Sequence, residues 1–222
     1  LKRVDLNVDL GEGFPDDARL LTIATSANVA CGEHAGSWEA TLATIALCRE
    51  RGVRIGAHPG YPDRANLGRV HLDPADSRVA DSLRNQILRF RAVCVPAYLK
   101  PHGAFYQAIA EGSEPAIALA RELMELAETD RLMGMPGTGH ERVGGRLIRE
   151  GFADRRYLPD GRLAPRTLPG AMLIDSAEIA AQVRRLAPTV DSLCVHGDET
   201  RAVQTATLVR RTLEEKGYEV GW

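Results

Sequence analysis

Two carboxylates and four histidines in this sequence stand beside glycines, at positions where strands would end. Asp9 and Glu12 bracket Gly11 in the run VDLNVDLGEGF. His34 and His58 each precede a glycine by two residues, Gly36 and Gly60, while His102 and His196 are followed directly by Gly103 and Gly197. His58 and Lys100 precede Pro59 and Pro101, and a following proline holds a residue out of the helical region, so both are fixed as the last residues of extended segments. Acids, imidazoles and an ammonium gathered in one pocket support two chemistries. One is a metal site, with Asp9, Glu12 and His58 as candidate ligands, that activates a water. The other needs no metal: Asp9 or Glu12 takes a proton from water, His58, His102 and His196 donate protons, and Lys100 stabilises an oxyanion or a phosphate. Cys31, at a strand end near His34, is a third candidate, as a nucleophile, set against the commoner role of a buried thiol. His71 and His140 do not share the pattern and read as structural or surface residues.

Groups so far apart in sequence meet only if the fold brings strand ends together, and the periodicity supplies such a fold. Val4, Leu6 and Val8 alternate with Asp5, Asn7 and Asp9, the two-residue period of a strand with one polar face. Further strands are predicted at 27–31, 53–57, 97–100, 132–135, 152–157 and 193–195, with a short final one at 218–222. Helices are predicted at 16–24, from Ser37 to Arg51 with Gly52 beyond the end, from an Asp73-Pro74 start through Val79, Leu83, Ile87 and Phe90, after Ser113, over about 141–150, after an Asp175/Glu178 capping box, and from Thr200 to Gly217. Asp160-Gly161 marks a tight turn. Strands alternating with helices predict a parallel sheet with helical crossovers, and in such folds ligands gather at the carboxyl ends of the strands. Asn7 and Asn28 on the first two strands, together with His34, are therefore candidates for substrate contact. The loop around Gly137 and Gly139 is a candidate phosphate cradle at the start of the 141–150 helix. No G-x-x-x-x-G-K-[ST] run occurs, so that loop is not a P-loop.

Composition narrows the class. The chain has 222 residues, 44% hydrophobic and 26% charged, which suits one α/β domain spanning 1–222. A net charge of −2 gives no basic footprint for nucleic acid. No apolar run approaches the roughly 20 residues that span a bilayer. The N-terminus enters a strand almost at once, which reads as no leader peptide. Cys31, Cys48, Cys94 and Cys194 show no C-x-x-C spacing and read as reduced, buried thiols of a cytoplasmic protein.

The runs DLNVDLGEGF, TSANVACGEHAG, GAHPGYPD, LKPHGAFY, ADRRYLPDGRLAPR and CVHGD, in this order from Asp5 to Asp198, resemble the LamB/YcsF family of 5-oxoprolinase A subunits. The resemblance implies a distorted (β/α) barrel of about seven parallel strands, related to the polysaccharide deacetylases. It implies ATP-dependent opening of the lactam of 5-oxoproline to give glutamate, with ATP as co-substrate and two partner subunits, B and C. In that chemistry ATP activates the amide oxygen, water attacks the ring carbon, and the ring opens with release of phosphate. ATP would bring Mg²⁺, which Asp9 and Glu12 could hold. Two other readings stand beside it: a metal-dependent hydrolase acting alone, and a non-catalytic subunit that presents substrate to a partner. The chain departs from the family pattern at Glu33, where phenylalanine is expected, at Ser37, where aspartate is expected, and in shorter loops after Phe14 and between Leu186 and Ser192. Glu33 would place a second carboxylate beside His34.

Overall fold

A computed structural model describes residues 2–197 and 200–222. Asp198, the last residue of the CVHGD run, lies outside them. The strands are β1 (Arg3–Leu10), β2 (Ser26–Ala30), β3 (Arg54–His58), β4 (Arg131–Gly134), β5 (Arg146–Phe152), β6 (Ser192–Val195) and β7 (Glu219–Val220). They are joined by helices α1 (Asp17–Leu20), α2 (Trp38–Arg51), α3 (Ser77–Arg91), α4 (Gly103–Ala110), α5 (Glu114–Leu126), α6 (Ser176–Leu186) and α7 (Ala202–Glu215). The sheet order is β3-β2-β1-β6-β5-β4, all pairs parallel, with β7 added beside the start of β1. The predicted fourth strand, 97–100, closes the ring. Leu99 bridges Ala57 of β3 on one side and Leu132 of β4 on the other. Ala97 and Lys100 donate to the carbonyls of Ile55 and Ala57, and Leu99 donates to that of Arg131. The expected distorted α/β barrel is therefore the observed one.

The alternation in β1 decides what fills it. Val4, Leu6, Val8 and Leu10 are fully buried and belong to the apolar core, while Asp5, Asn7 and Asp9 on the opposite face are buried in the lumen. The lumen is thus packed with polar groups instead of the usual branched aliphatics.

Local signals place several helices where the spacing put them. The Ser37 hydroxyl accepts from the Ala40 amide, and α2 ends at Gly52 with φ 65°. Asp175 accepts from the amides of Ala177 and Glu178 to start α6. Three assignments change. α3 starts at Ser77 with Asp76 as its cap, because Asp73 instead bonds the Ala75 amide in a turn of its own. α4 was not foreseen: GAFYQAIA is apolar almost all round and has no amphipathic stripe, because most of it is buried. The predicted helix at 141–150 is a 3-10 turn, Gly139–Arg142, followed by two positive-φ glycines, Gly144 and Gly145, and then by β5. The short run RLIREGF fits either period, and its pairing with β4 and β6 settles it as a strand. The strand predicted at 152–157 is consequently displaced toward the N-terminus.

His140, in that turn, is buried against Tyr106, and burial pushes its imidazole down to about 3. The unfolded chain takes up this proton near 6.5 and the folded chain does not. Its contribution is therefore fully present above pH 6.5 and is lost as pH falls toward 3, by about 1.4 kcal/mol per pH unit. Urea unfolding of His140→Gln across this range is expected to show a shallower acid slope than wild type, by one proton.

Candidate functional site

The site grows from the lumen-facing residues of β1. At its floor Asp5 accepts from Thr25 Oγ1 at 2.6 Å, from Ser26 Oγ at 2.7 Å and from the Ser192 hydroxyl. Burial raises the Asp5 carboxyl, with the three hydroxyls opposing. One layer up, Asn7 donates to Ser192 Oγ at 2.7 Å and accepts from Asn28 Nδ2 at 2.7 Å. Asn28 also donates to Asp9 Oδ1 at 2.7 Å and accepts from the Tyr98 hydroxyl at 2.7 Å.

Lys100 joins these layers. Its ammonium lies 2.9 Å from Asp9 Oδ1, 2.8 Å from Glu150 Oε1, 3.2 Å from Asn7 Oδ1 and 3.2 Å from Cys194 Sγ. The Tyr106 hydroxyl donates to the other Glu150 oxygen at 2.9 Å. Burial works against the charge on Lys100, but Asp9, Cys194 and Glu150 outweigh it and hold the amine well above the usual lysine range. Burial likewise opposes the charge on Asp9. There Lys100, His58 and His196 prevail and hold its carboxyl well below the usual range. Asp9 is thus an ionised carboxylate at neutral pH, in a site with almost no water contact.

Above Asp9 lie the imidazoles. His58 Nε2 is 3.7 Å from Asp9 Oδ1, and its Nδ1 donates to the Lys100 carbonyl at 2.7 Å. His102 Nδ1 meets His58 Nε2 at 2.9 Å, and its Nε2 donates to the Leu67 carbonyl at 2.9 Å. His34 stacks on His102 with centroids 3.9 Å apart and planes within 9°. Glu12 Oε1 lies 3.4 Å from His34 Nε2 and 3.6 Å from His102 Nδ1. Burial pushes His58 down to about 3 and holds His102 well below the ordinary histidine value. On the far side of Asp9, His196 donates from Nδ1 to Asp154 at 2.9 Å, and its backbone amide donates to the same carboxylate at 2.8 Å. Burial would raise Asp154, but His196 more than offsets it and the carboxyl is held low.

The loop between β3 and α3 supplies the carbonyl for His102. Leu67 has φ 54°, a left-handed conformation that is costly for a branched side chain, and Gly68 follows with φ 64°. A Cβ on Gly68 would come within 2.9 Å of His34 Cβ and 3.2 Å of His102 Cδ2. Gly68→Ala combines a disfavoured backbone with a clash against the stacked rings. It is expected to destabilise the fold by about 2–4 kcal/mol in urea unfolding.

The structure brings together six residues that the sequence singled out: Asp9, Glu12, His34, His58, His102 and His196. It reassigns others. Asn7 and Asn28 are fully buried and direct their amides at each other, Ser192, Tyr98 and Asp9, which holds the carboxylate in place. The Lys100 ammonium lies against Asn7, Asp9, Cys194 and Glu150. Gly137 and Gly139 precede no α-helix; the Gly137 amide donates to Glu141 at 2.9 Å, and Gly139 packs against the Ile109 carbonyl, so the phosphate cradle is not formed. Glu33 is exposed, and the carboxylate that reaches His34 is Glu12. Cys31 is buried and its thiol is pushed up to about 12, the opposite of an activated nucleophile. Sequence reasoning missed Glu150 and Asp154. Glu150 was hidden in the mistaken helix; Asp154 sat in the ADRRY run without a histidine beside it.

Two groups of ligand-type atoms lie within 4.8 Å of one another among the described residues: Glu12, His34, His58 and His102, and separately Asp9, Cys194 and His196. Of the three residues expected to share an ion, Glu12 and His58 fall in the first group and Asp9 in the second. A wider groove of about 250 Å³ runs between the C-terminal ends of α6 and α7, bordered by Arg184, Pro188, Lys216 and Tyr218. Helix C-termini lie at the amino ends of the strands, so this groove is on the face opposite the imidazoles. No helix of the described residues is long and apolar enough to cross a membrane.

Known proteins resemble the chain along its whole length. The chain is 39% identical over 243 residues to a 5-oxoprolinase A subunit from Neisseria meningitidis, covering 99% of each chain. It is 41% identical over 246 residues to another of that name from Mycobacterium leprae, covering 98% of this chain and 97% of that one. A solved lactam utilization protein from Thermus thermophilus superposes with a TM-score of 0.83 at 30% identity, covering 100% of this chain and 99% of that one. The model of the LamB/YcsF family matches residues 4–221. With nearly the whole length matched by that model, the chain belongs to the LamB/YcsF family.

Proposed function

We propose that this chain is the lactam-opening component of an ATP-dependent 5-oxoprolinase, which converts 5-oxoproline to glutamate together with partner subunits B and C. The observation that carries the reading is the full-length likeness to chains named as 5-oxoprolinase A subunits. The pocket supports it by offering a buried carboxylate between two sets of imidazoles. A lactam carbonyl is a poor electrophile, and transfer of the ATP γ-phosphoryl group to its oxygen, with ADP leaving, makes the ring carbon attackable. Water then adds to that carbon while Asp9, ionised and held by Lys100 and Asn28, takes its proton. The ring nitrogen leaves as the C–N bond breaks, taking the proton that Asp9 received from water. His196, held in one tautomer by Asp154, presents a bare Nε2 that takes the hydroxyl proton of the adduct as the carbonyl re-forms. The resulting γ-glutamyl phosphate loses phosphate to a second water, so two waters and one ATP are consumed per glutamate. Mg²⁺ accompanies the ATP.

The test mixes the purified chain with its two partners, ATP and 5-oxoproline, and assays glutamate and ADP. Equimolar glutamate and ADP are expected, with neither product when this chain is omitted. Glutamate formed without ATP would defeat the proposed coupling. A second reading, a metal-dependent hydrolase acting alone, is favoured by the cluster of three imidazoles and Glu12. Ring opening by this chain without partners would decide for it.

A further inference from the structure

The contact between His58 and His102 poses a problem of proton count. The carbonyls of Lys100 and Leu67 can only accept, so His58 Nδ1 and His102 Nε2 both carry hydrogen. In the neutral rings the remaining nitrogens, His58 Nε2 and His102 Nδ1, are then both bare lone pairs, and they face each other at 2.9 Å. Two lone pairs at that distance repel unless an electrophile lies between or beside them. We infer that His58 Nε2, His102 Nδ1 and Glu12 are ligands of a divalent transition-metal ion of the zinc type.

Three further observations agree. A backbone carbonyl behind each ring is the arrangement that fixes the tautomer of metal-bound histidine. At Leu67 that carbonyl is presented by a non-glycine residue held at φ 54°. Charge also fits: Asp9 and Glu150 share the Lys100 ammonium, while Glu12 reaches only the imidazoles of His34 and His102 among the described residues, so a dication beside it would supply the counter-charge. The ring of His34 is parallel to that of His102 and 3.9 Å from it, so both lone pairs cannot converge on one ion. His34 therefore supports the site by stacking on His102 and by its contact with Glu12. Two imidazoles and a carboxylate favour zinc, cobalt or nickel over magnesium, whose ligands are oxygens. The site is thus distinct in kind from one for the magnesium that accompanies ATP, and the inference goes beyond the proposed reaction.

The test is metal binding by the full chain, stripped with a chelator and titrated with Zn²⁺ by calorimetry and with Co²⁺ by visible absorption. One equivalent per chain is expected, with Co²⁺ giving the d–d bands of a low-coordinate nitrogen and oxygen site. His58→Gln and His102→Gln are each expected to weaken Zn²⁺ binding at least about 100-fold, and His71→Ala, at an exposed residue, to leave it unchanged. Should either glutamine variant fail to fold, the wild type still answers: in long-range ¹H–¹⁵N spectra Zn²⁺ should shift His58 Nε2 and His102 Nδ1, while the two nitrogens bonded to carbonyls stay protonated. No stoichiometric binding, binding that survives both substitutions, or a spectrum showing a shared proton between the two rings would each overturn the inference. None of these measurements depends on 5-oxoproline, so failure here leaves the assay of the proposed reaction to be judged separately.

Discussion

Asp9→Asn is expected to lower glutamate formation by the assembled enzyme by about 10³-fold or more, with little change in the fold. Asparagine is nearly the same size and its carbonyl can still accept from Asn28 and Lys100, the two bonds that now fall on Asp9 Oδ1. What is lost is the capacity to take a proton from water. The measurement is the steady-state rate with saturating ATP and 5-oxoproline, alongside circular dichroism and the binding of the partner subunits. A drop in turnover with KM for 5-oxoproline nearly constant places the loss in the chemical step. Turnover close to wild type would remove Asp9 from the reaction and leave this chain as a presenter of substrate to a partner.

The second large effect is on stability. Lys100→Met is expected to cost about 3–5 kcal/mol, because Asp9 and Glu150 would remain buried in the lumen without their shared cation. Glu150→Gln in the same background should recover part of the loss, which a merely steric effect of methionine would not allow. The acid dependence separates the causes further. In wild type the Asp9 pKa is depressed, so its contribution is present above the unfolded value near 3.8 and is lost as pH falls through the lower folded value. In Lys100→Met, burial becomes the dominant influence and raises Asp9. The variant's deficit should therefore shrink as pH falls through that raised value. Urea unfolding at pH 5 and pH 8 checks the sign: a smaller gap between wild type and variant at the lower pH is the expected result.

The sequence revealed the strand-end chemistry more readily than the interior. Asp9, Glu12 and the four histidines could be grouped because glycine and proline beside them announce where strands stop, a local signal. The alternation in β1 likewise told which side chains share a face. A polar strand face normally meets water, and only the polar ends of the other strands favoured a barrel mouth for this one; the depth to which it is buried, down to Asp5, was not visible. Nor could the alternation tell that Asn7, Asn28 and Lys100 meet one another around Asp9. The helix drawn over 141–150 failed for a related reason: seven residues with mixed polarity carry too few periods to tell a strand from a helix, and β5 is decided by its neighbours in the sheet. Glu150 and Asp154 were out of reach because each is defined by a distant partner, Lys100 in one case and His196 in the other.

The stretch 97–100 bonds to β3 at Ala97, Tyr98 and Lys100 but to β4 only through Leu99, a shorter join than the ladders elsewhere in the ring. Lys100 follows Leu99 directly, and His102 is two residues further on. The weakest joint and the chemistry therefore share one piece of backbone. When that stretch lets go of β3 and β4, the ammonium leaves its carboxylates and His102 leaves His58 in the same movement. Integrity of the site and integrity of the ring are in this sense one equilibrium, and amide exchange at Leu99 and Lys100 reads both at once. Any ligand that grips the imidazoles also fastens the barrel shut.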